Sequence, residues 1–315
     1  MISMIKKIKT SIRLFWIVVL VGMMMTSFAK LSLASSAQKM FSSSQEAVEA
    51  AVAAVRANDE KEFLAIFGPE GKGLFSSGDA VSDKQGRERF LKAYDEKSSL
   101  VVEGENMVLL IGAEDWPFPV PLVKNKESWV FDTLAGKDEI LNRRIGRNEL
   151  DAIQVCLAIV DAQREYAMKD RDANGTPDYA EKFQSDPRQK NGLYWEAKDG
   201  ELPSPLGPGV AKAKEEGYSK SGDAPIPFHG YFYRILKAQG KDALGGAYDY
   251  VVKGKMIGGF AVVAYPAQYG NSGVMTFIVN HDGVVYQKDL GDSTPRLAKN
   301  MKTFNPDESW TKAGD

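Results

Sequence analysis

Asn148–Glu181 reads NELDAIQVCLAIVDAQREYAMKDRDANGTPDYAE, and the rest of the chain is organised around it. Ile153, Cys156, Leu157, Val160 and Arg164 recur at the three- and four-residue spacing that lines one face of an α-helix, while Ala152, Val155 and Ile159 widen the apolar stripe. A stripe that wide is buried on more than one side. The helix then runs into an acidic loop that opens onto a second helical turn, with one compact unit before it and another after it.

Working towards the N-terminus, Leu134–Ile145 is a further helical pattern, and Gly146 is expected to kink or cap it before the central helix starts. Ser44–Gly68 reads as two helices, broken near Asn58-Asp59 and closed by Gly68-Pro69, and Arg87–Tyr94 as a third. Between these helices and Leu134 the period changes to strand-like runs, LVVEGE, MVLLIG, PFPVPLVK and SWVFDT. Pro117, Pro119 and Pro121 remove every second donor from one of them, which makes it either an edge strand or a strand whose proline positions face away from a neighbour. Towards the C-terminus, Gln184–His229 is turn-rich but has apolar anchors in Leu193, Tyr194, Trp195, Leu202 and Leu206, with a short charged helix at Val210–Gly217. Strands return in YFYRILKA, AYDYVVK, MIGGFAVVAYP, GVMTFIVN and VVYQKDL, with Asn280-His281-Asp282-Gly283 and Lys253-Gly254-Lys255 as turns. The tail reads as a helical turn and an extended end that packs Trp310. The fold class is α+β with two domains, 44–146 and 147–315, each with helices packed on an antiparallel sheet.

Residues 1–34 are expected to be a secretory signal peptide, with an uncleaved signal anchor as the alternative. Lys6, Lys7, Lys9 and Arg13 precede the apolar run LFWIVVLVGMMMTSFA, which is shorter than the about 20 residues of a comfortable span. Ser32-Leu33-Ala34 and Ser35-Ser36-Ala37 both suit cleavage, leaving export, with the periplasm as destination and no stable membrane span after cleavage. Five of the 40 basic residues and no acidic residue lie in 1–34, so the mature chain has 35 basic against 42 acidic residues, a net charge of −7. A basic nucleic-acid footprint is absent. The single cysteine, Cys156, cannot form an internal disulfide and reads as a core residue.

The chemistry-bearing stretch is Asp170–Glu181, which fits the calcium-loop template. Asp170, Asp172 and Asn174 take its first, third and fifth positions, Gly175 the sharp turn, Thr176 the carbonyl position, and Asp178 and Glu181 the last two. A helix on each side would fix its ends. Pro177 cannot offer the backbone N–H through which paired loops join, and no second loop is visible, so calcium is expected to bind weakly. The competing reading is an acidic solvated turn. Arg143, Arg144 and Arg147 read either as an anion site or as a solvated face paired with Asp138, Glu139, Glu149 and Asp151. The histidines, His229 and His281, sit in no nucleophile or metal motif, and no catalytic residues are assigned. Gly258-Gly259 marks a bulge or a close backbone approach. A non-enzymatic binding or structural module, with an envelope protein or a cell-wall component as its partner, is the first reading. A carboxylate-dependent hydrolase with its site between the domains is the alternative.

The residues WPFPVPLV, WVFDTLAGKDEILNRRIGRNELDAIQVC, DAQREYAMKDRDANGTPDYAEKF, GLYW, SPLGP, HGYFYRIL and GGFAVVAYPAQYGNSGVMTFIVNHDGVVYQKDLG resemble, from near Phe41 to the end, the bacterial exported family catalogued as domain of unknown function 2950. The resemblance implies an exported envelope protein and carries over no activity or catalytic residue. In element order alone, Ser44–Gly136 is similar to the cystatin or nuclear-transport-factor-like cone. Asn148–Leu290 is similar in pattern to the heads of type IV pilins and pseudopilins, although a whole domain here replaces the apolar polymerising segment.

Overall fold

The computed structural model describes residues 38–171, 175–198, 200–219 and 225–314. The signal-peptide segment lies outside the described residues. Gln38–Asp315 forms one compact unit with two hydrophobic cores, and each core combines helices with an antiparallel sheet.

The first region opens with α1 (Ser44–Ala57) and α2 (Glu60–Phe67). Each starts where a short polar side chain accepts a backbone donor, Ser43 from Glu46 and Asp59 from Glu62. Asn58 closes α1 in the left-handed conformation, φ 53°, which lets the chain turn directly into α2. After a helical turn at Lys72–Phe75 comes α3 (Ala80–Glu96), which begins well before the Arg87 read from the sequence because Asp79 caps it. Five strands follow: β1 (Ser98–Glu103), β2 (Asn106–Ile111), β3 (Trp116–Pro117), β4 (Leu122–Asn125) and β5 (Ser128–Phe131). The path is β1-β2-β4-β5, with β3 also pairing β2. The alternating prolines do not make one edge strand: they divide the run into β3 and β4, and the stretch between is not a strand.

A single helix, α4 (Thr133–Tyr166), then runs for 34 residues, about 50 Å. Gly146 does not cap it: the helix runs on through this position. A helical glycine costs only about 1 kcal/mol relative to alanine, and both ends of α4 are held by tertiary packing. Near the start, Thr133 Oγ1 donates to Phe67 O at 2.7 Å and Ile140 packs on the first core. Gly136 is required there, since a Cβ would stand 2.1 Å from the Pro119 carbonyl oxygen. Farther along, Ala152, Cys156, Ile159, Val160 and Tyr166 enter the second core.

The second region has an antiparallel sheet built from β6 (Tyr231–Leu236), β7 (Ala261–Pro266), β8 (Met275–Asn280), β9 (Val285–Asp289) and β10 (Thr311–Lys312), in the spatial order β10-β9-β8-β7-β6. The helix α5 (Gly207–Glu215) precedes it and α6 (Thr294–Asn300) follows β9. With α4 packed on β8 and α6 on β7, every residue of β7 is buried, which accounts for its unbroken apolar run. Gly259, φ 134°, allows the close approach expected of it: a Cβ would meet His281 Nδ1 at 2.6 Å. Of the loop anchors, Leu193 and Trp195 are buried, whereas Leu202 is exposed. Among the described residues no helix is long and apolar enough to cross a membrane.

The regions meet at the middle of α4. Asn148 Nδ2 donates to Ser272 O at 2.9 Å, and Glu149 Oε1 accepts the backbone N–H groups of Val274 and Met275, both at 2.9 Å. Three polar bonds to one turn fix its position beside the helix.

Candidate functional site

A cavity of about 550 Å³ lies in the first region. Its apolar wall comes from Val48, Ala51 and Val52 of α1, Phe63 and Phe67 of α2, and Leu109 and Ile111 of β2. The rings pack at the edge of the space, with Phe63 and Phe67 stacked at 4.4 Å and Phe67 4.6 Å from Phe131. The helix α3 covers it, contributing Gly86, Phe90 and Ala93. None of the 17 residues of α3 is buried. Phe90, Leu91, Ala93 and Tyr94 of α3 pack on the first core but stay only partly buried, and Gly86, Phe90 and Ala93 also border the cavity.

Both ends of α3 are tied down. At its start the Asp79 carboxylate, itself 1% exposed, caps Ser82 N–H at 3.1 Å through Oδ1. Its Oδ2 accepts from the Tyr218 hydroxyl at 2.9 Å and the Gly230 N–H at 2.8 Å. These two donors come from the second region, so the latch joins residues 139 and 151 positions apart. Burial, followed by the Asp79 charge, pushes the Tyr218 hydroxyl far above its usual range, which keeps it a donor. Gln85 Nε2 adds a bond to Glu216 O at 2.9 Å. At the other end, Arg56 forms a two-pronged pair with Asp95, at 2.7 and 3.2 Å.

Five arginines and two carboxylates, Asp83 and Glu114, line the same cavity, a local excess of three positive charges. Arg143 pairs Glu139 at 2.6 Å and lies 4.9 Å over the Trp116 ring. Arg144 is spent on the Gly73 and Leu74 carbonyls and Asn271 Oδ1, at 2.6, 2.8 and 2.6 Å. Burial holds its guanidinium below the usual range, opposed by Asp83 and reinforced by Arg147. Arg87 donates to Phe75 O at 3.3 Å and covers that ring. Arg89 on α3 and Arg147 on α4 have no hydrogen bond or ion pair among the described residues. Partial burial, and then the facing Arg147, depress the Arg89 guanidinium. The solvated-face reading thus describes Arg143, whereas Arg144 is a structural tie and Arg147 faces another cation.

The acidic loop lies at the far end of α4. Asp172 and Asn174 are outside the described residues. Gly175 takes φ 87° and donates its N–H to Asp170 Oδ2 at 2.8 Å, the tight turn the template asks for. Thr176 Oγ1 accepts from Lys255 Nζ at 2.8 Å, and Glu181 pairs with Lys237. Asp178 is buried. Residues 175–198 contain no helix, contrary to the second helical turn expected directly after the loop. Instead the buried Gln163 amide clamps Ala180, donating to its carbonyl at 2.8 Å and accepting its N–H at 2.9 Å, while Tyr179 N–H bonds Met256 O. Among the described residues no group of three His, Cys, Asp or Glu side chains could hold a metal ion.

His229, φ 50°, stands between carboxylates, Nδ1 3.6 Å from Asp151 and Nε2 3.4 Å from Glu216. His281 sits in its hairpin turn over Gly259. Cys156 is wholly enclosed, and burial pushes its thiol up to about 12. The sequence reading missed α3 as a cover and Arg87 and Arg89 as part of the arginine group. The signal was present in Asp79-Ala80, a capping residue followed by a helix whose apolar face is sparse.

A family model described as Protein of unknown function (DUF2950) matches residues 38–313. The chain belongs to this family. No curated protein and no solved structure matches it significantly. The resemblance read from the sequence therefore holds for the family, and the pilin-head likeness gains no support.

Proposed function

We propose that this protein is a non-enzymatic binding module of the bacterial envelope that receives the apolar part of a small ligand beneath α3. The observation that carries the reading is a cavity of about 550 Å³ under a 17-residue helix with no buried residue. Protein cores are close-packed, and unfilled apolar space forfeits dispersion contacts that a ligand would restore. The volume is within the roughly 300–1,000 Å³ of small-molecule pockets. Export to the periplasm is part of the proposal and rests on the basic start, short apolar run and small-residue boundary of residues 1–34. The hydrolase alternative has less support, because Asp83 is already committed to the Ser77 N–H at 2.9 Å and the Ser77 hydroxyl at 2.7 Å. A calcium-stabilised loop at Asp170–Glu181 is a second, independent proposal supported by the Gly175 turn.

Ala51→Phe, placed on the cavity wall, tests the main reading. A neutral naphthylamine dye should fluoresce with the parent protein and bind at least about tenfold more weakly to the variant, whose melting temperature is unchanged or higher, since the ring fills existing space. Equal dye binding by both proteins would place the apolar site elsewhere.

A further inference from the structure

We infer that the ligand of this cavity is a single-chain amphiphile with an anionic head, its chain under α3 and its carboxylate or phosphate held between Arg89 and Arg147. The inference rests on the cavity reading above and adds the chemistry of the head group. Residues 38–315 carry an excess of acidic residues, because the five basic residues of 1–37 leave 35 against 42, yet the cavity lining is positive by three. Three of its five arginines are accounted for by Glu139, by the Gly73, Leu74 and Phe75 carbonyls, and by Asn271. The two that remain stand on different helices, exposed at the edge of the apolar space, and repel one another.

Two exposed guanidinium groups at the rim of an apolar hollow, neither tied to a protein group among the described residues, are free to take an anion between them, which would relieve their mutual repulsion. Guanidinium groups suit that task, because their planar donors match carboxylate and phosphate oxygens in pairs. The apolar wall supplies nothing for a polar ligand body, whereas each methylene buried there adds roughly fourfold to affinity, equivalent to about 0.8 kcal/mol. Head and chain therefore make separate demands that one amphiphile meets. Placing one arginine on the cover and the other on α4 also means that the bound head would bridge α3 to the long helix.

Titration calorimetry of the full chain with dodecanoate, dodecyl phosphate and dodecanol tests this, alongside Arg89→Gln/Arg147→Gln and Arg89→Lys/Arg147→Lys. At least one of the two anions should bind, and bind at least tenfold more tightly than dodecanol; which one binds better identifies the head group. The glutamine pair should lose about 10- to 100-fold for the anion and nothing for dodecanol, with the lysine pair between, and unchanged melting would show both variants folded. Equal binding of dodecanol and the anions, or anion binding indifferent to the glutamine pair, would overturn the head-group assignment while leaving the cavity reading intact. Failure of all three probes to bind would remove the cavity reading itself.

Discussion

Replacing Asp79 by alanine tests whether α3 is held over the cavity by its first residues. The substitution removes the cap on Ser82, worth about 1 kcal/mol. It also strands two donors, the Tyr218 hydroxyl and the Gly230 N–H, each costing about 1–3 kcal/mol if left unsatisfied. Water entering the vacated space recovers part of this, so a loss of about 3–5 kcal/mol is expected. For a unit of this size that lowers the melting temperature by roughly 8–15 °C. Asp79→Asn keeps one oxygen for the cap but turns a donor towards the other partners, and should cost about 1–2 kcal/mol. A double-mutant cycle of Asp79→Ala with Tyr218→Phe, read by urea unfolding, should give a coupling of about 1 kcal/mol or more. If Asp79→Ala costs less than about 1 kcal/mol and the cycle is additive, the latch does not hold the two regions together.

Cys156 should resist a disulfide reagent at pH 8 in the native protein and react at once in urea, because its thiol is buried and raised to about 12. The sign of its pH effect follows: the unfolded thiol ionises from about 9 while the folded one stays neutral, so this contribution is intact below pH 9 and falls, by up to about 1.4 kcal/mol per unit, as pH rises towards 12. Melting curves between pH 7 and 10.5, with Cys156→Ala as the control that flattens the first part of the decline, measure it. For the acidic loop, a calcium dissociation constant near 0.1 mM would make 1 mM calcium worth about 1.4 kcal/mol, a rise of roughly 3–5 °C over EDTA. Lys237→Met should enlarge the rise by freeing Glu181, and equal melting in calcium and EDTA for both proteins would leave a lysine-neutralised turn.

What could be read from the chain divides along the range of the interactions. The helices α1 and α2, the strands β1, β2 and β5, and the meander β6–β9 are set by periodicity and by capping residues a few positions away, and these were legible. The breaks were harder, because they depend on competition. At Gly146 a small local penalty loses to packing at both ends of α4, whereas at Pro117–Pro121 missing donors defeat a strand that the alternation favoured. The cavity leaves no local mark at all. Phe63, Phe67 and Phe90 have the same apolar pattern whether the space between them is filled or empty. The arginine cluster was legible as Arg143, Arg144 and Arg147, but its meaning was not: Arg144 is satisfied by the carbonyls of Gly73 and Leu74 and by Asn271, 127 positions away, and Arg147 is opposed by Arg89 on another helix. Whether a charge is paired is a property of the folded molecule. It follows that the group most informative about the ligand is the pair the fold leaves uncompensated, since every other arginine at the cavity has a structural reason to be there.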